Sequence, residues 1–130
     1  MSSSSLLKFL VVDDSATIRK MIITALRPLQ GSFREASSGL EAIEQLMLCP
    51  YDVVTLDLNM PDMNGLEFLQ FVRGHNAFKD IPIVVITTRV DAGMQDVALA
   101  AGANRYITKP FSPEEVLQMV RELLDREALA

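Results

Sequence analysis

Five short strand-like runs, at residues 7–12, 33–36, 53–56, 83–86 and 105–108, alternate with longer stretches of helical period. That rhythm constrains the fold more than any other feature, because parallel strands need a crossover of a dozen or more residues, usually a helix. Most of the runs are continuously apolar and β-branched, as strands covered on both faces must be, while residues 33–36 are polar enough for a sheet edge. In the first intervening stretch Ile18, Ile22, Ala25, Leu26 and Leu29 fall on one helical stripe, which predicts a helix facing the sheet. Ser38 with Glu41, and Ser112 with Glu115, have capping-box spacing and open the second and fifth helices. Pro113 then takes the first helical position, where its missing N–H costs nothing. Asn64 is the predicted cap of the third helix. Val90, Met94, Val97, Ala98 and Ala101 are the predicted buried stripe of the fourth, which Gly102 ends. Five βα units joined by right-handed crossovers predict an α/β fold with a doubly wound, five-stranded parallel sheet. One domain is expected over residues 1–130, with residues 1–6 as a loose Ser-rich tail.

Composition narrows the function classes. With 49% hydrophobic and 22% charged residues, the chain has enough apolar material to offset its ordering entropy and is expected to fold. Its formal net charge is -5, and its Lys and Arg are scattered, with only Arg19-Lys20 adjacent. A polyphosphate backbone would be repelled, so direct nucleic-acid binding is not expected, and Arg19-Lys20 reads as a solvated helix face. No apolar run reaches the length of a membrane span, and the N-terminus lacks the basic and apolar parts of a secretory leader. The single Cys49, before Pro50, reads as a small apolar filler; it cannot form an internal disulfide and fits a reducing compartment, so a cytoplasmic location is expected.

Four of the five predicted strands end in reactive groups: Asp13-Asp14, Asp57, Thr87-Thr88 and Lys109-Pro110. In a doubly wound sheet all four would meet at the carboxyl edge, where ligands of such folds bind. Each group has an ordinary structural reading, such as a helix cap, a strand threonine or a solvated lysine, but their convergence points to chemistry. Three neighbouring carboxylates repel one another unless a cation lies between them. All-oxygen donors select a hard divalent ion such as Mg²⁺, with Mn²⁺ as a substitute. Asp57 could then act as an anionic nucleophile toward phosphorus. Lys109 and the Thr87 hydroxyl would stabilise charge on the transferred phosphoryl oxygens, and a cis bond before Pro110 would aim Lys109 at the pocket.

The segments Val11-Val-Asp-Asp-Ser15, Leu56-Asp-Leu-Asn-Met-Pro-Asp-Met-Asn-Gly65, Ile86-Thr-Thr88 and Thr108-Lys-Pro-Phe111 resemble the signatures of bacterial two-component response-regulator receivers, CheY-like in type. The resemblance spans roughly residues 8–124. It implies a flavodoxin-like strand order of 2-1-3-4-5, for which CheY itself is a type example. It further implies that Asp57 takes a phosphoryl group from a sensor histidine kinase or phosphotransfer protein. Asp13 and Asp14 would form the acidic pair, with Asp14, Asp57 and the backbone carbonyl of Asn59 as direct metal ligands. Thr87 would be the switch hydroxyl, Lys109 the phosphate partner, and Tyr106 the aromatic that moves with Thr87. The fourth helix, fifth strand and fifth helix (residues 91–101, 105–108 and 112–125) would form the face read by a downstream effector protein.

Two positions depart from the family pattern. Thr88 is bulkier than the small residue usual after the switch hydroxyl and would narrow access, and Arg89 introduces a cation at a position that influences phosphoryl loss. His75, between Gly74 and Asn76, reads as a solvated loop imidazole, and Met60-Pro61 as a shaper of the Asp57 loop. The chain is expected to be a stoichiometric phosphoacceptor and not an enzyme, with a protein contact as output, as in chemotaxis, unless it is the receiver fragment of a longer regulator. The sequence leaves the oligomeric state open between a monomer and a weak dimer. An aspartate-nucleophile phosphatase is the weaker reading, because such enzymes usually carry a second acid two residues on, where this chain has Asn59.

Overall fold

The computed structural model describes residues 6–88 and 93–129. Arg89 and Val90 lie outside the described residues, as do tail residues 1–5. Strands β1 (Lys8–Val12), β2 (Ser32–Ala36), β3 (Val53–Leu56), β4 (Ile83–Thr87) and β5 (Arg105–Thr108) alternate with helices α1 (Ala16–Leu26), α2 (Gly39–Leu48), α3 (Gly65–Arg73), α4 (Met94–Ala100) and α5 (Pro113–Leu129). All strand pairs are parallel, and the sheet order is β2-β1-β3-β4-β5. The predicted α/β fold and strand order are thus observed, with the polar strand at an edge. Strand ends shift by at most one residue from the sequence reading.

Strand alternation sends side chains to two separate cores. Phe9, Val11, Val53, Val84, Ile86 and Ile107 face α1 and α5, meeting Ile22 and Leu26 on one helix and Val116 and Val120 on the other. Leu10, Val12, Val54, Leu56, Ile83 and Val85 face the opposite way, against Leu46 of α2, Phe68 and Leu69 of α3 and Ala98 of α4. The helical stripe read from Ile18 to Leu29 packs as expected, although Leu29 lies in a short 3-10 turn that follows α1.

The caps explain where the helices begin. Ser15 opens α1 by accepting from the Ile18 N–H at 3.2 Å, and Ser38 opens α2 by accepting from the Glu41 N–H at 3.1 Å. The Glu41 carboxylate accepts from the backbone N–H of Ser37, one residue before the position a strict capping box would give. Asn64 forms a full box with Glu67, and the Ser112 hydroxyl accepts from the Glu115 N–H at 3.1 Å. Such caps are worth about 1 kcal/mol each. Helix α4 is shorter than its predicted stripe: Val97 is 47% exposed, while Ala98 is fully buried. A helix of two turns presents only a narrow stripe to the sheet, and here it runs through Met94, Ala98 and Ala101. Gly102 ends it at φ 118°, a conformation that glycine adopts without the steric cost of a Cβ.

Candidate functional site

Register alone brings the acids together. Val12 pairs with Leu56 across β1 and β3, so Asp13 and Asp57 leave the sheet side by side, their amides still bonded to the carbonyls of Ala36 and Val12 at 3.0 Å each. On the other flank Thr87 pairs with Thr108, and the Lys109 N–H donates to the Thr87 carbonyl at 2.8 Å. The Lys109–Pro110 bond is cis, as expected.

The Asp57 carboxylate accepts from three donors. Its Oδ1 accepts from the Thr87 hydroxyl at 2.9 Å and from the Asn59 N–H at 3.0 Å; its Oδ2 accepts from the Lys109 ammonium at 3.1 Å. Lys109 also donates to Asp13 Oδ2 at 2.7 Å, and Asp13 Oδ1 accepts from the Ser15 N–H at 2.9 Å. Asp13, Asp57 and Thr87 are buried, at 1%, 4% and 0% exposure, whereas Asp14 faces solvent. Burial pushes the Asp13 carboxyl above its ordinary value, against the lowering effect of Lys109. Burial pulls Lys109 the other way, but its hydrogen bond to Asp13 and the charges of both acids prevail and raise it, so the ammonium is held charged.

Asp13, Asp14 and Asp57 can each offer one carboxylate oxygen, all within 4.8 Å of one another. The donor set fits a hard divalent ion such as Mg²⁺, being oxygen only, with one exposed member that keeps the site open to a hydrated ion. A cleft of about 570 Å³ adjoins Asp14 and is lined by Asn59, Met60, Asp62 and Glu67. Of the other expected residues, Thr88 is exposed and its hydroxyl accepts from the Asn59 amide at 3.3 Å. Tyr106 is half-buried against the core that faces α2, α3 and α4. It pairs with Val85, so it shares the β4 face that carries Thr87 two residues on.

Three contributors were not read from the sequence. The Asn59 side chain bridges the Thr87 and Thr88 hydroxyls, at 3.5 and 3.3 Å, whereas only its backbone carbonyl had been expected to matter. Arg19 is not a solvated face residue: its guanidinium donates to the Asp13 carbonyl at 2.6 Å and to Glu35 at 2.8 Å. Its place one turn inside α1, six residues after Asp13, was the available signal. Asp62 ties its loop to α2 by accepting from the Gly39 and Leu40 N–H groups. His75 likewise differs from expectation, since its ring stacks on Phe78 at 4.4 Å between centroids.

Fold and site together define a doubly wound α/β domain with an acidic pocket collected where the winding of the sheet reverses. Residues 9–121 match the response regulator receiver domain family. The chain is 42% identical over 120 residues to chemotaxis protein CheY1 of Helicobacter pylori, covering 91% of this chain and 97% of that one. It is also 36% identical over 121 residues to a segment making up 15% of the sensor histidine kinase CheAY of that organism. Among solved structures, the chemotaxis response regulator CheY4 of Vibrio cholerae superposes with a TM-score of 0.84 at 34% identity, covering 92% of this chain and 99% of that one. The chain belongs to the response regulator receiver domain family and is a receiver of the CheY type, consistent with phosphoacceptor signalling in a two-component system. Among the described residues no helix is long and apolar enough to cross a membrane.

Proposed function

We propose that Asp57 is the phosphoacceptor of this receiver, loaded by a cytoplasmic sensor histidine kinase or phosphotransfer protein in a reaction that needs Mg²⁺. The observation that carries the reading is the Asp57 carboxylate itself, buried and held by Lys109, Thr87 and the Asn59 N–H beside two further acids. A carboxylate so placed has a fixed direction of attack, and its donors are close enough to follow charge onto a phosphoryl group. In the transfer an Asp57 oxygen forms the new bond to phosphorus as the bond from phosphorus to the donor histidine nitrogen breaks, and the histidine leaves with the bonding pair. Lys109 and the Thr87 hydroxyl turn from the carboxylate to the phosphoryl oxygens. Asp14, Asp57 and the Asn59 carbonyl would hold Mg²⁺ directly, with Asp13 beside them; the ion supplies charge neutralisation between the acids and the incoming phosphoryl group. Asn59 carries an amide that donates to the Thr87 and Thr88 hydroxyls, so no acid stands there to protonate a leaving group as a phosphatase would need.

The phosphoryl group adds about 1.5 to 2 negative charges at one sheet edge and favours the conformation that best donates to them. Thr87 and Tyr106 would pass that shift to the face of α4, β5 and α5, where an effector protein binds. The similarity to chemotaxis proteins makes a chemotaxis output the favoured case. The test is intact-mass analysis after incubation with acetyl phosphate. One added phosphoryl group is expected with Mg²⁺, none with EDTA, and none for Asp57→Asn under either condition. Equal labelling of the variant, or labelling indifferent to the ion, would overturn the assignment.

A further inference from the structure

The loop that carries Asn59 is braced from a helix outside the site. At its base, Asn59 bridges Asn64 and the Gly65 N–H donates to the Leu58 carbonyl at 3.0 Å. Nearer its tip, Asp62 reaches across to α2. Its Oδ1 accepts from the Gly39 N–H at 2.9 Å and its Oδ2 from the Leu40 N–H at 2.8 Å. Those amides are two of the donors that a helix start leaves without partners, and the positive end of the helix favours the anion. The Leu40 and Gly39 N–H bonds hold the Asp62 carboxyl below its ordinary value. Next along, Met63 lies over Gly39 so closely that a Cβ on that glycine would collide with its thioether. Loop tip and helix start are therefore fitted to each other by charge and by shape.

We propose that Asp62 is a positioning residue for the cation. By clamping the loop of residues 57–64 to the start of α2, it fixes the Asn59 carbonyl where the ion needs it. Both carboxylate oxygens are engaged by amides, so Asp62 acts through the loop. The inference rests on the Mg²⁺ reading above and goes beyond it, because it makes ion affinity depend on a helix that supplies no ligand.

The experiment is calorimetric titration with Mg²⁺ of the wild-type chain and of Asp62→Ala, Asp62→Asn and Ser38→Ala, with thermal unfolding of each. Asp62→Ala should bind Mg²⁺ about tenfold more weakly, the lower end for loss of a group that orients a ligand. Asp62→Asn retains an oxygen for one of the two amides and should lie between wild type and Asp62→Ala. Ser38→Ala removes a different cap from the same helix without touching the loop; it should lower stability and leave ion affinity unchanged. Amide hydrogen exchange at Gly39 and Leu40 should speed up in Asp62→Ala. The inference is overturned if Asp62→Ala binds like wild type, if Asp62→Asn is as weak as Asp62→Ala (charge alone), or if Ser38→Ala weakens binding equally (loss of the helix). Failure of the wild-type chain to bind Mg²⁺ would instead overturn the function proposed above.

Discussion

Lys109 bridges the carboxylates of both buried acids, which makes its removal a sharp test of the electrostatic account. Its ammonium lies 2.7 Å from Asp13 and 3.1 Å from Asp57, with side-chain exposures of 11%, 1% and 5% respectively. In Lys109→Met two desolvated carboxylates face each other without a countercharge. Breaking a buried pair in this way costs about 3–5 kcal/mol, and the lower figure applies because Asp14 leaves one side of the site wet. For a chain of this size about 3 kcal/mol lowers the midpoint by roughly 12 °C. Thermal unfolding followed by circular dichroism in EDTA should show that drop.

The same substitution should act oppositely on the ion. At a separation of about 5 Å a divalent ion and an ammonium repel by about 1.7 kcal/mol even at the dielectric of bulk water. Lys109→Met should therefore bind Mg²⁺ roughly tenfold more tightly, and at saturating ion the stability gap to wild type should shrink by about 1.4 kcal/mol. Stability unchanged in EDTA, or Mg²⁺ affinity equal to or weaker than wild type, would refute the reasoning.

Thr55 sits buried in the central strand β3, between Val11 and Val84, and its hydroxyl has no hydrogen-bond partner among the described residues. Thr55→Val keeps the shape and removes the desolvated oxygen, so it should stabilise by about 1–2 kcal/mol in urea unfolding; a neutral or negative result would mean that the hydroxyl is bonded. Arg73, at the end of α3, donates to the carbonyls of Gly102, Lys79 and Ile81 and to Asn104 Oδ1 at 2.7–3.0 Å. Arg73→Lys keeps the charge but not the planar fork, and should lose about 2 kcal/mol or more; a variant as stable as wild type would show that one ammonium suffices.

The strands were legible because their signal is local: β-branched runs of four or five residues bounded by turn residues read the same in isolation as in the sheet. The acidic pocket was legible for a related reason. Asp13, Asp57 and Lys109 each follow directly on a strand and Thr87 ends one, and parallel topology forces all strand ends to one edge. What escaped was held by contacts that sequence spacing does not encode. Arg19 reaches Asp13 only because α1 folds back over β1, and Asp62 meets α2 only because the β3–α3 loop leans across the sheet edge. Val97 departs from its predicted burial because α4 has only two turns, and so short a helix buries a narrower stripe than the sequence pattern implies. His75 was read from its polar neighbours, while its stacking partner is three residues ahead in a turn that brings the rings together.

The acids and the donors are built into unequal surroundings. Asp13 is braced by the Ser15 N–H and, through its carbonyl, by Arg19; the loop after Asp57 is closed at its base and clamped at Asp62. Thr87 and Lys109 instead enter the site from the ends of β4 and β5, the outer flank of the sheet, and are joined to each other by one backbone bond. A phosphoryl group on Asp57 would present acceptor oxygens farther out than the carboxylate does, so donors now bonded to the carboxylate must be re-aimed to reach them. Displacement then falls on Thr87 and Lys109, whose donors face the group. There Tyr106 shares the face of Thr87 and is only half-buried, so a change at Thr87 alters the packing of a large ring beside α4. If Asp57 takes the group as proposed, signal would travel outward through β4 and β5, and a variant that loosens the acids should blur the switch before it unfolds the protein.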